Sequence, residues 1–337
     1  MNALPYCTNR LRYFTLFFHK SRDDWNRYFN DPPTVINTDG SKQFLKSDPN
    51  GKYFVTDCNF GDLKTKCISV ESVGPNYLGI SETEFNKCSA DDHCPCTVFR
   101  NGSFFQYRVT GKDCTTRLTH NGIHTSVLAR QNSYDLNLIE ESSISGYSSE
   151  TSGSVLWHKN GNVSFVSINE SNCKTRYAVG YLIYNDASGT SSTKFCQFIS
   201  NKADLMCYWH WYSQHYIHCS NYLNSSSSST ASQPGIINLA SANSQIYISN
   251  SVMKDNSGKI LLYSTESSSD IIADKCFLDN QKIEMITSGN GDIELNNNNI
   301  ISLCILVKIK YKTILQNKFC RCKSNNNLYL IAFLTTQ

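Results

Sequence analysis

Ser154-Val155-Leu156-Trp157-His158-Lys159-Asn160-Gly161-Asn162-Val163-Ser164-Phe165-Val166-Ser167-Ile168 sets two β-branched and aromatic runs on either side of an Asn-Gly pair. Both central residues of a type I′ turn need positive φ, which Asn and Gly tolerate, so the stretch predicts a β-hairpin. Working outward, similar turn pairs stand at Asp39-Gly40, Asn50-Gly51, Asn101-Gly102, Asn121-Gly122 and Asn290-Gly291, with Asp255-Asn256-Ser257-Gly258 as a longer variant. Between them, Phe105 to Val109 alternates apolar and polar residues, and Tyr177 to Tyr184 is almost continuously apolar. Gln245 to Ser249 and Lys259 to Ser264 add further strands, while Ser21 to Phe29 is the one tidy short helix, with Ser21 as its cap. The expected fold is mainly β: an antiparallel, hairpin-rich sandwich or an irregular propeller-like domain stabilised by disulfides. The turn pairs do not recur at a fixed interval, so they do not demonstrate a repeat solenoid or a regular propeller.

The expected boundaries follow composition. Residues 1–30 form an N-terminal segment, 31–224 a disulfide-rich β domain, 225–235 a Ser-rich linker or loop, 236–295 a further β segment and 296–337 an Asn-flanked appendage. With 337 residues and 40% hydrophobic content, the chain can bury a core and is not disordered. A net charge of +3, dispersed along the chain, gives no basic footprint for nucleic acid. No apolar run approaches the length of a transmembrane helix. Tyr13 to Phe18 is a poor signal peptide, so the ends suggest an ectodomain lacking its leader and anchor.

Fifteen cysteines scattered along the chain favour a disulfide framework. Cys58, Cys67, Cys88, Cys94, Cys96, Cys114, Cys173, Cys196, Cys207 and Cys219 are expected to be bridged, and Cys7 to be the odd thiol. N-x-S/T acceptors at Asn101, Asn162, Asn169 and Asn224 agree with passage through an oxidising, glycosylating compartment. The expected location is extracellular, secreted or on a virion or cell surface.

Reactive and aromatic types are densest from Asp204 to Cys219. Tyr208, Trp209, Trp211, Tyr212 and Tyr216 supply ring faces for stacking on a sugar or for a protein interface, and are the expected ligand-binding residues. The same aromatics would also suit a core strand pair. Cys207, His210, His215 and His218, with Cys219, have the ligand types of a zinc site, although disulfide bonding of the cysteines is the preferred reading, and no cofactor is expected. Cys88 to Cys96 reads as a disulfide knot with solvated charges at Asp91, Asp92 and His93.

Asp31-Pro32-Pro33-Thr34, Gly51-Lys52-Tyr53-Phe54 and Phe60-Gly61-Asp62-Leu63 together resemble the start of the nidovirus and influenza C-type haemagglutinin-esterases, over Asn30 to Cys67. In that family a Phe-Gly-Asp-Ser block carries the nucleophile. Leu63 stands at that place here, with no oxygen to attack an acyl carbon, and no histidine follows His218. The resemblance therefore implies a lectin-like relative without esterase activity. No G-x-S-x-G, H-E-x-x-H, Walker or G-x-G-x-x-G motif occurs. The expected function is a glycoprotein, of the viral-attachment kind, that binds a glycan or a protein receptor, with a homo-oligomer allowed. The second reading is a secreted hydrolase of sialidase or esterase type whose catalytic residues are dispersed.

Overall fold

The computed structural model describes residues 23–91, 94–117, 122–131, 134–150, 153–184, 190–211, 214–227, 235–266, 268–278, 292–296, 304–309 and 317–322. The chain winds as a β-solenoid of about eight turns. Each full coil contributes one strand to each of four parallel sheets, called here faces 1 to 4 in chain order. Face 1 has 11 strands, face 2 has 9, face 3 has 6 very short ones and face 4 has 9. One coil shows the plan: Leu136–Glu140 lies in face 1, Ser143–Ser145 in face 2, Ser148–Ser149 in face 3 and Ser154–Lys159 in face 4. Among the described residues one pair is antiparallel, Cys304–Ile309 with Asn317–Cys322, outside the four faces.

Two sharp corners make this winding possible. The residue after nine of the 11 face 1 strands has φ between 45° and 57°, at Asp57, Glu82, Arg108, Glu141, Ser167, Phe195, Cys219, Asn250 and Lys275. Its N–H donates to the carbonyl one coil on, as from Arg108 to Glu140 (3.1 Å) and from Phe195 to His218 (3.1 Å), so the ladder continues round the bend. The corner between faces 2 and 3 repeats the device at Asp62, Lys87, Asp113, Gly146, Asn172, Ser200, Asn224 and Asp255. Left-handed backbone is costly for residues such as Phe195 or Arg108, and it persists because inter-coil hydrogen bonds on both sides hold it. At the first corner Arg108 also bridges its neighbours in the stack, Glu82 at 3.3 Å and Glu141 at 2.8 Å.

Residues next to each corner point inward and stack in columns. Phe60 lies on Phe85 (5.3 Å between rings, 10° apart), and Phe198 lies on Tyr222 (5.1 Å, 16°). Cys58, Cys196 and Cys276 follow the first corner; Cys88, Cys114 and Cys173 follow the second, all within the core. A thiol serves there as a small apolar filler.

These findings correct the expected fold. Ser154–Lys159 and Asn162–Val166 do not form a hairpin: the first pairs in parallel with Gly122–Leu128 and Ala178–Tyr184, the second with Leu136–Glu140 and Ser191–Lys194. Asn160 (φ 62°) and Gly161 (φ 73°) do adopt left-handed backbone, but they turn the chain from face 4 to face 1 of the next coil. The architecture is a parallel solenoid and not an antiparallel sandwich or propeller, because each strand finds its partner a full coil away. Nor does the expected disulfide framework hold it: of the cysteines expected to be bridged, Cys58, Cys67, Cys88, Cys94, Cys96, Cys114, Cys173, Cys196 and Cys207 are buried free thiols, whereas Cys219 is disulfide-bonded.

The faces resume from Gly235, since Gly235–Leu239 pairs with Met206–Trp211 and Gln245–Ser249 with Gln214–His218. The expected N-terminal helix is a single turn at 23–26 lying on face 1. No helix among the described residues is long and apolar enough to cross a membrane.

Candidate aromatic site on face 4

Strand alternation divides the expected binding residues among three places. In Met206–Trp211, Tyr208 and His210 are wholly buried, whereas Trp209 and Trp211 lie on the outer side of face 4 in a separate cluster. Tyr216 is 45% exposed on face 1, beside Tyr247 (6.4 Å). Tyr212 lies outside the described residues.

What joins Trp209 and Trp211 comes from other coils. Parallel register aligns Trp157, Leu182 and Trp209, and one position outward it aligns Lys159, Tyr184 and Trp211. Tyr177 closes one side, 5.0 Å from Trp209 between ring centres; Trp209 and Trp211 are also 5.0 Å apart, and Tyr184 is 5.6 Å from Trp211. The aromatic residues, Leu182 and Gly153 line an open cavity of about 230 Å³. Two cations sit against its rings, Arg100 over Trp157 at 5.7 Å and Lys159 over Tyr184 at 4.1 Å. Trp209 is 5% exposed, and its indole N–H has no hydrogen-bond partner among the described residues. The site therefore offers flat apolar ring faces and a cationic edge.

Sequence reasoning missed Trp157, Tyr177, Leu182 and Tyr184. Their signal is the coil interval, which places 157, 182 and 209 on one column and is invisible until the repeat is known.

The zinc candidates do not converge. His210 and His215 face each other inside the solenoid with rings 4.2 Å apart, whereas His218 is half-buried and bonds Ser249 Oγ at 2.8 Å. Cys207 Sγ donates to the Ser226 carbonyl at 3.4 Å. Among the described residues no group of three or more His, Cys, Asp or Glu is arranged to hold a metal. His215 is satisfied by Thr193 Oγ1 (3.0 Å) and Ser191 Oγ (2.7 Å). Burial pushes the His124, His158 and His210 imidazoles down to about 3 and His215 well below its ordinary value, so all four are neutral core groups.

Of the sequon asparagines, Asn224 is exposed, Asn101 and Asn162 are half-buried, and Asn169 is buried in face 2 with 5% exposure. In the esterase-like block, Phe60 is part of the core stack and Leu63 packs against the same core. Asp92 and His93 of the expected knot lie outside the described residues. No family profile, no curated protein and no solved structure matches the chain.

Proposed function

We propose that this chain is a glycan-binding solenoid whose site is the aromatic patch on face 4. The observation that carries the reading is the row formed by Trp157, Leu182 and Trp209 on consecutive coils, with Tyr184 and Trp211 beside it. A linear glycan presents apolar ring faces at regular steps, and aromatic faces stack on such surfaces while leaving the hydroxyls wet. A platform of hydrogen-bonded strands needs little ordering when the ligand arrives, which favours affinity. The small cavity and its cationic edge fit sugar rings better than a broad protein footprint.

The test is binding of the full chain to a panel of immobilised glycans, repeated with Trp157→Ala and Trp211→Ala. Glycan binding that falls at least tenfold in both variants, with the thermal midpoint kept within a few degrees, supports the reading. A folded wild-type chain that retains no glycan overturns it, as does binding that both variants preserve. Turnover of a fluorogenic sialoside or acetyl ester would put a hydrolase in its place.

A further inference from the structure

Beyond Trp157 the register continues with residues that are not aromatic, of which Ser126, Val98 and Ser69 are buried beneath their neighbours. The same register position runs back along face 4 through Ser126, Val98 and Ser69 to Leu45. Leu45 and Ser69 line an open groove of about 580 Å³ that also holds Lys46, Lys64, Lys66, Glu71 and Asp91. Groove and patch thus share one sheet face, and Arg100 links them: its Nε lies 3.9 Å from Glu71 in the groove, and its guanidinium covers Trp157 at the edge of the patch.

Charge along this path is unbalanced. Lys66 is held by Glu71 at 2.9 Å, and Ser69 Oγ donates to the same carboxylate at 2.6 Å, so that carboxylate is largely occupied. Lys46, Lys64 and Lys159 remain, with Asp91 the other acid among the described lining residues of the groove. Lys46 and Lys159 each lie against an aromatic ring, Phe44 and Tyr184, which holds an ammonium over the surface without neutralising it. From Leu45 to Trp209 the row takes six inter-strand steps of about 4.8 Å, roughly 29 Å in all. That is the length of a short oligosaccharide lying along the solenoid axis.

Resting on the glycan reading above, we infer that the ligand is a linear acidic glycan, bearing carboxylate or sulfate groups, that lies along face 4 with its uncharged rings on the aromatic patch and its anionic groups in the lysine groove. The aromatic end supplies stacking and the basic end selects charge.

Binding of the full chain is measured against three hexasaccharides, one neutral, one carboxylated and one sulfated, and against a single-stranded oligonucleotide as a plain polyanion. The expected result is at least tenfold tighter binding of an acidic hexasaccharide than of the neutral one. That advantage disappears in the Lys46→Ala/Lys64→Ala double variant and at high salt, where exposed charges are screened, while neutral binding stays. The better acidic probe tells carboxylate from sulfate. Trp211→Ala weakens all three sugars. Equal affinity for neutral and acidic sugars overturns this inference and leaves the glycan reading standing, as does an advantage that survives the double lysine variant. An oligonucleotide bound as tightly as the acidic sugars overturns it in favour of unspecific charge attraction, and no sugar binding at all sinks both readings.

Discussion

Two of the aromatic clusters on the outside of this solenoid are treated differently. On face 1, Phe54, Phe105, Tyr107 and Leu138 are covered by the chain's own N-terminal turn, with Trp25, Tyr28 and Phe29 packed on them. Trp25 is 0% exposed, its ring 5.6 Å from Phe54 and 6.1 Å from Phe105, and its Nε1 donates to the Asp31 carbonyl. Tyr28 and Arg27 fasten the same turn to Glu140, at 2.6 and 2.9 Å. On face 4, Trp157, Tyr177, Tyr184 and Trp211 stay half-buried beside an open cavity. An outward aromatic ladder is therefore not by itself a binding site in this fold. It becomes a candidate where no described segment of the chain covers it.

Acid should break the comparison most strongly, since His158 and His210 lie in the strands that carry Trp157 and Trp209, and the covered patch on face 1 contains no imidazole. The folded-state values of His124, His158 and His210 are depressed to about 3, below the unfolded value near 6.5. Their neutral burial therefore stabilises the fold fully above pH 6.5, and that stability is lost as pH falls from 6.5 toward 3. The three together account for a loss on the order of 6 kcal/mol at pH 5. Hydrogen exchange followed from pH 7 to pH 5 should show the face 4 strands losing protection; a flat profile would show that these imidazoles are not buried as described.

The next largest effect is Trp25→Ala, which empties the cover of the face 1 patch and should cost about 3–5 kcal/mol. Denaturant titration measures the loss, and glycan binding by the remaining folded protein is expected to stay unchanged. Tyr28→Phe removes one partly buried hydrogen bond to a carboxylate, a loss of about 1–2 kcal/mol by the same measurement. Smallest for stability is Trp211→Ala, at under about 1 kcal/mol, because a half-exposed ring supports little packing. It should nevertheless abolish most of the binding. A large loss of stability with binding intact would mean that the two faces play the reverse roles.

Strand positions were largely legible in the sequence, and their partners were not. Gln245–Ser249 is found as expected, and the run from Tyr177 to Tyr184 forms the strand Ala178–Tyr184. Asn101 and Asn160 take the positive φ that Asn-Gly implies. Local turn chemistry says that a chain bends, however, and not which strand it then meets. Within the four faces the partner lies from 18 residues away (Val35 to Tyr53) to 33 residues away (Tyr107 to Glu140), and no short motif marks such an interval. The corners that do recur carry Arg108, Phe195 and Lys275, side chains that give no turn signal. Cysteine misled for a related reason: its even scatter reflects a recurring core slot beside each corner, which looks like a disulfide framework when the period is unknown. At the site, Trp209 and Trp211 were found through their local density, whereas Trp157 and Tyr184 become neighbours only through the winding.

The segment from the end of face 1 to the start of face 2 never changes length, as Thr56 to Asn59, Tyr107 to Thr110 and Asp274 to Phe277 show. The difference between short and long coils is taken up elsewhere, as in the stretch between Leu128 and Leu136 that leads from face 4 back to face 1. For inheritance this divides the chain into places where an inserted or deleted codon shifts the frame of every stacked side chain and places where it only lengthens a surface loop. New sequence can accumulate at the entrance to face 1 without disturbing the columns, so the rim beside the aromatic row is free to diversify while the winding is conserved by geometry alone.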